Sequence, residues 1–233
     1  MIEIEQLRFA WPRAAHDCLA VDRLALAAGN ALFVYGPSGG GKSTLLGLMA
    51  GVLLPSAGRV RLLGQDLAQL SGAQRDAFRA DHLGYIFQQF NLLPYLSVLD
   101  NVLLPCRFSR VRRERAASRS GAAEADACSL LSRIGLAEPL WRRTAAELSV
   151  GQQQRVAAAR ALIGVPEIVI ADEPTSALDA PLRDGFMDVL LAECRAAGTT
   201  LVFVSHDERL APRFDAQVSL ASINTATAME SIT

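Results

Sequence analysis

Three observations in the 233-residue sequence predict an α/β fold with a mainly parallel sheet flanked by helices. Short apolar runs at Ala31–Tyr35, Ile168–Ala171 and Leu201–Ser205 read as strands buried on both faces. Helical segments alternate with them, over Lys42–Ala50, Gln152–Ile163 and Leu182–Ala197, as expected of parallel strands joined by crossover helices. From about Leu96 to Ala146 helical periodicity dominates, so a helical insertion interrupts the α/β core.

Taken in chain order, Met1-Ile2-Glu3-Ile4-Glu5 alternates apolar and acidic residues, which starts a strand and does not resemble a signal peptide. Residues 2–9 and 21–27 read as strands, and Ala28-Gly29-Asn30 turns the chain into Ala31–Tyr35. Arg59–Leu63 and Leu83–Phe87 are further strand candidates. In the insertion, Ala122–Ile134 sets Ala127, Leu130, Leu131 and Ile134 on one helical face. After Leu220 the residues are small and polar, and a frayed tail is expected.

The sharpest local signal follows the strand at Ala31–Tyr35. Gly36-Pro37-Ser38-Gly39-Gly40-Gly41-Lys42-Ser43 is a P-loop pattern, and it holds the only lysine of the chain. A compact ammonium on a flexible stem suits a slot between phosphate oxygens better than a planar guanidinium. The glycines remove side chains, so backbone N–H groups converge on an anion at the positive end of a helix. Lys42 would reach the β- and γ-phosphates and Ser43 would hold Mg²⁺, so the ligand is a nucleoside triphosphate, read as ATP. Gly36, Pro37, Ser38, Gly39, Gly40, Gly41, Lys42, Ser43 and Thr44 are the candidate phosphate-binding residues.

Composition narrows the class. Half of the residues are apolar, so the chain folds around a core. The net charge of −1 gives no general electrostatic case for nucleic-acid binding. Cys18, Cys106, Cys128 and Cys194 show no CxxC spacing and read as free thiols in a reducing compartment. No segment has the length and apolarity needed to span a bilayer, so any membrane role requires docking on another chain. Six arginines lie between Arg107 and Arg119; they read either as a solvated helix face or as a surface for anionic lipid or an acidic partner.

The second acidic motif is Ile168-Val169-Ile170-Ala171-Asp172-Glu173, an apolar strand that ends in two carboxylates. In a P-loop enzyme the Asp joins the Mg²⁺ shell and the Glu orients or deprotonates the attacking water. Four more segments complete a resemblance to the nucleotide-binding domain of ATP-binding cassette transporters. Leu148-Ser149-Val150-Gly151-Gln152 resembles the family signature LSGGQ, and Tyr85-Ile86-Phe87-Gln88 resembles the Q-loop. Ser176-Ala177-Leu178-Asp179 resembles the D-loop, and Val204-Ser205-His206-Asp207 resembles the switch-histidine segment. They occur in the family's order, with the helical insertion between Q-loop and signature.

The resemblance implies a P-loop NTPase core, a small antiparallel β subdomain and an inserted α-helical subdomain. The expected organisation is 1–88 for the N-terminal part of the core, 89–147 for the helical subdomain, 148–220 for the signature helix and C-terminal part of the core, and 221–233 for a flexible tail. It also implies an ATPase in which each chain holds half of each site. Glu173, His206 and Gln88 would be catalytic; Ser43, Gln88 and Asp172 would hold Mg²⁺; and Ser149, Gly151, Gln152 and Asp179 would contact nucleotide held by a second subunit. Trp11 resembles the aromatic that stacks on adenine, with Phe9 as a competitor on the same strand face.

The implied partners are a second cassette, identical or paired, and an integral membrane permease, at the cytoplasmic face of the bacterial inner membrane. Phe90–Ser97 offers an apolar, aromatic surface for the permease, with Tyr95 or Leu96 as contacts. Leu83–Gln88 with Asn91–Pro94 and Ser97–Val102 looks like the lipoprotein-releasing and macrolide-exporter group, with lipophilic cargo. An amino-acid importer ATPase and a signalling clamp that moves no substrate stay open. A soluble relative acting on DNA or ribosomes is disfavoured by the single cassette without coiled-coil insertions. Val150 stands where the family usually has Gly and is expected to be tolerated.

Overall fold

A computed structural model describes residues 1–226. The strand Ile2–Phe9 (β1) buries Ile2 and Ile4 on one side of its alternation, and pairs antiparallel with Leu19–Leu26 (β2) and Ala57–Leu62 (β4). The two-residue strand Gln65–Asp66 (β5) completes a sheet of order β2-β1-β4-β5. The second sheet is parallel. Leu83–Ile86 (β6), Ile168–Asp172 (β7), Thr200–Val204 (β8), Ala31–Tyr35 (β3) and Ala216–Ser219 (β9) lie in that order across it.

Both faces of the parallel sheet are covered, which accounts for its unbroken apolar runs. Along β3, Leu32 and Val34 join the antiparallel sheet and the helix Lys42–Met49 (α1) in one core. Ala31 and Phe33 face the other core, with Phe33 stacked on Phe203 at 6.2 Å. That second core takes in Val98–Phe108 (α3), Arg110–Ser120 (α4) and Ala123–Arg133 (α5), the three helices of the insertion, with Val150–Leu162 (α6) and Ala180–Ala197 (α7).

Three elements depart from expectation. Gly72–His82 (α2) was not evident in the sequence because it buries none of its side chains, although its reciprocal Ser71–Gln74 capping box marks its start. The strand β9, Ala-Gln-Val-Ser, is a short sheet edge with no apolar run. The expectation of a frayed tail is corrected over residues 221–226, while residues 227–233 of that expectation lie outside the described residues. Leu220–Ile223 (α8) is helical, and Asn224 behind it accepts from the Ala20 N–H at 2.8 Å and donates to the Cys18 carbonyl at 3.1 Å. These bonds tie the segment to β2.

The arginine cluster is mostly consumed inside the chain. Arg107 pairs with Asp100, Arg110 with Glu114, Arg115 with Glu167 and Arg119 with Asp126. Arg112 is only 2% exposed and donates to the carbonyls of Leu83, Ala161 and Ile163, so α4 caps the end of α6 and fastens it to β6. Burial pushes its guanidinium down to about 10. The same junction requires Gly84, where a Cβ would lie 2.2 Å from the Ala161 carbonyl oxygen.

Candidate active site

The parallel order of β3, β8 and β7 brings three strand ends to one edge of the sheet, where α/β folds bind ligands. The loop leaving β3 turns through Gly39 and Gly41 at φ of 78° and 90°, a region that strongly favours glycine, and Gly41 caps α1. Lys42 folds back over this loop. Its Nζ donates to the Gly36 carbonyl at 2.9 Å and the Pro37 carbonyl at 3.0 Å, and lies 3.5 Å from Glu173 Oε1. Ser38, Gly39, Gly41, Lys42, Ser43, Thr44, Gln88, Asp172 and Glu173 line one cavity of about 330 Å³.

The two carboxylates at the end of β7 diverge. Asp172 turns to the Ser43 hydroxyl, which hydrogen-bonds to it; burial pushes the Asp172 carboxyl above its ordinary range, against that bond and the nearby Lys42. Glu173 has left the strand. It sits at φ 44°, its N–H donates to the Val204 carbonyl at 3.0 Å, and its Oε2 lies 3.0 Å from His206 Nδ1. A left-handed backbone at a residue with a Cβ costs about 1–3 kcal/mol and persists only where surroundings enforce it. Here the turn swings one carboxylate away from Ser43 and toward Lys42 and His206. Asp207, next to His206, is fixed by Arg183 at 2.6 Å and by Arg209 at 2.7 Å.

The residues fit a magnesium nucleotide. The left-handed glycine loop leads straight into the N-terminus of α1, where helices bind anions, and Gly39 has nothing within 4 Å of where a Cβ would stand. Mg²⁺ takes oxygen ligands, usually one or two carboxylates plus phosphate oxygens, and Asp172, the Ser43 hydroxyl and the Gln88 amide oxygen are such a set.

The remaining predicted residues do not share that cavity. Ser149, Gly151, Gln152 and Asp179 line a different cleft, of about 670 Å³, together with Val150, Leu178 and Leu182. The two cavities have no lining residue in common. Ser149 is the N-cap of α6, in a reciprocal capping box with Gln152, and Asp179 caps α7 through the Leu182 N–H at 3.0 Å. Val150 is the first residue of α6 and has no positive φ, so glycine's freedom is not needed there; its side chain is 48% exposed at the mouth of the cleft. The expectation that Phe9 and Trp11 share a strand face is corrected. The strand ends at Phe9, which is 6% exposed, while Trp11 lies beyond it at 48% and meets the Phe9 ring edge-on at 5.1 Å. Trp11 is therefore the ring open to a ligand, although it does not line the phosphate cavity.

Sequence reasoning missed two further features. An apolar groove of about 660 Å³ runs between α2, β6 and α3, with Phe87, Leu104 and Phe108 in its wall. Phe108 is 79% exposed, but a lone Phe at a helix end gives no warning of a groove. The other is Arg160 near the end of α6, whose guanidinium donates to the carbonyl of Asn91 at 2.6 Å. One arginine among many carries no sequence signal of its own.

A phosphate loop after β3, whose Ser43 at the start of α1 meets the Asp172 carboxylate at the end of β7, puts the protein among the P-loop ATPases. Within that class the ABC transporter family model matches residues 20–176, and the chain belongs to that family as one of its ATP-hydrolysing cassettes, which work on ATP with Mg²⁺. It is 43% identical over 192 residues to the lipoprotein-releasing system ATP-binding protein LolD of Shewanella sp. (strain MR-4), a match covering 82% of this chain and 80% of LolD. It is 41% identical over 201 residues to the macrolide export ATP-binding/permease protein MacB of Chromobacterium violaceum, covering 84% of this chain and 29% of that protein. The dimeric, post-hydrolysis structure of the ATP-binding cassette MJ0796 bound to ADP and Pi matches with a TM-score of 0.79, at 32% identity over 94% of each chain.

Proposed function

We propose that this cassette is the motor of a membrane exporter. Two copies, or a copy and a paired cassette, close head to tail over two Mg-ATP, and closure drives a permease that extracts or expels lipophilic cargo. The observation that carries this reading is the separation of two half-sites on one chain, the phosphate cavity and the Ser149–Asp179 cleft, which share no residue. A second copy, turned end for end, supplies what each half lacks. The export direction and lipophilic cargo rest on the likeness to the lipoprotein-releasing and macrolide-exporting proteins.

The residues divide the work. Lys42 exchanges the Gly36 and Pro37 carbonyls for phosphate oxygens, and the glycine-loop N–H groups hold the same oxygens. Ser43, Asp172 and Gln88 would hold Mg²⁺, which would neutralise charge on the phosphates. Glu173 takes the proton of the attacking water, and His206, hydrogen-bonded to it, orients the carboxylate and reaches the γ-phosphate. Ser149, Gly151 and Gln152 of the facing copy close the site from the helix N-terminus of α6. Trp11 stacks on adenine.

The permease docks in the groove between α2 and α3, and the chain sits by that contact at the cytoplasmic face of a bacterial inner membrane. No helix among the described residues is long and apolar enough to cross a membrane. Tyr95 is exposed but lies outside the groove walls, so Phe108 and Phe87 replace Tyr95 and Leu96 as the proposed contacts. Co-purification with the permease tests this. Phe108→Asp should weaken association about 30-fold, the ~2 kcal/mol of an aromatic hot spot, and leave ATP turnover of the isolated chain unchanged. Full association of the Phe108→Asp chain would contradict the docking surface.

A further inference from the structure

We infer that Arg160 is a positioning residue for the catalytic reaction, acting on Gln88 through the two carbonyls that follow it. The inference rests on the placement of Gln88 in the ATP site proposed above. Gln88 ends a strand connection and is itself exposed, so nothing in its own side chain fixes where its amide points. Two and three residues further on, Phe90 and Asn91 both adopt left-handed backbone, at φ of 59° and 49°. Two consecutive residues with a Cβ in this region are costly, about 1–3 kcal/mol each, and need an external hold.

Arg160 supplies that hold. Its Nη1 donates to the Asn91 carbonyl at 2.6 Å and its Nη2 to the Phe90 carbonyl at 2.5 Å. A planar fork that reaches two neighbouring carbonyls at once fixes direction as well as distance, which a single ammonium does not. The partners of the guanidinium are backbone carbonyls, and burial lowers it from the ordinary arginine range. The charge is therefore committed to backbone carbonyls and is not held for a carboxylate.

The other end of the clamp is equally firm. Arg160 stands near the end of α6, the helix that Ser149 opens, and Arg112 fastens the neighbouring Ala161 and Ile163 carbonyls to β6. The chain before Gln88 is anchored in β6 and the chain after it is anchored on α6. Gln88 thus lies between two fixed points, in a turn over residues 87–89 that the Phe90 N–H closes on the Phe87 carbonyl at 2.9 Å. The guanidinium also lines the wall of the Phe108 groove, so it touches both the docking surface and the loop that enters the ATP cavity.

A double-mutant cycle on the purified full-length chain tests the assignment, with Arg160→Lys and Gln88→Ala as the two arms. Arg160→Gln serves as a second variant should the lysine variant not fold. Arg160→Lys keeps the charge but reaches one carbonyl at a time. Its kcat should fall about tenfold, within the range of coupled neighbours, while ATP affinity read with a fluorescent ATP analogue stays within about twofold. On the Gln88→Ala background the Arg160 change should cost less than about twofold further. A general loosening of the fold would instead lower ATP affinity and multiply with the Gln88 effect, and either result overturns the assignment. If Gln88→Ala alone leaves kcat unchanged, the placement of Gln88 in catalysis fails and the role of Arg160 falls with it.

Discussion

Glu173→Gln is expected to lower ATP turnover by about 10²-fold or more, the scale of a lost general base, while ATP still binds. Glutamine has nearly the same shape and can keep a hydrogen bond to His206, but its amide does not take up a proton. The carboxylate now lies 3.5 Å from Lys42 Nζ and 3.0 Å from His206 Nδ1, so the substitution also removes a charge that competes with phosphate for Lys42. Binding should therefore hold or tighten as hydrolysis stops. The nucleotide-bound state should accumulate as a closed pair of chains, visible by size-exclusion chromatography with ATP and absent with ADP. Steady-state phosphate release at wild-type rate from the Gln variant would remove Glu173 from the chemical step.

Lys42→Ala should fail at the preceding step. Lys42 is 7% exposed and bridges the Gly36 and Pro37 carbonyls to the Glu173 carboxylate, so alanine removes both a proposed phosphate ligand and the tie that shapes the loop. Truncating one partner of a buried charge-assisted set costs about 2–5 kcal/mol, which corresponds to an ATP dissociation constant raised at least about 30-fold. Lys42→Arg should not restore binding fully, because a planar fork does not enter the slot filled by an ammonium. Titration with a fluorescent ATP analogue separates the two variants. Glu173→Gln binds and does not turn over, whereas Lys42→Ala binds weakly at any turnover. An alanine variant with affinity within about twofold of wild type would show that the glycine N–H groups alone carry the phosphates.

Much of this was legible because strands and phosphate loops announce themselves locally. The runs Ala31–Tyr35 and Ile168–Ala171 are apolar on both faces, and the fold buries both faces of β3 and β7. The glycines at 39 and 41 marked a side-chain-free loop, and the backbone there is left-handed, a conformation that glycine adopts freely. What remained hidden depends on groups far apart in sequence. Arg112 looked like one more surface charge in an arginine-rich stretch, yet it is buried on carbonyls some 50 residues away. The left-handed turn at Glu173 is invisible because glutamate carries no conformational mark; its partners, the Val204 carbonyl across the sheet and Lys42 and His206 on the carboxylate, come from distant parts of the chain. Helix α2 escaped because Phe78 is the one large apolar side chain it lays on the core, while its Ser71–Gln74 cap was written in the sequence and passed over. The groove at Phe108 arises from the angle between α2, β6 and α3, which no single segment encodes.

The proposed motor depends on pairing, because the phosphate cavity and the Ser149–Asp179 cleft of one chain share no residue. The most direct measurement is ATP hydrolysis per chain against protein concentration, from micromolar down to high dilution, for the wild type and for a Ser149→Arg chain mixed with Lys42→Ala chain. Specific activity should fall on dilution as pairs dissociate, and mixing the two inactive variants should restore part of it, because one of the two sites in each mixed pair is built from intact halves. Activity per chain that stays flat at every concentration, with no recovery on mixing, would mean that a single chain hydrolyses ATP by itself and that the paired site is wrong.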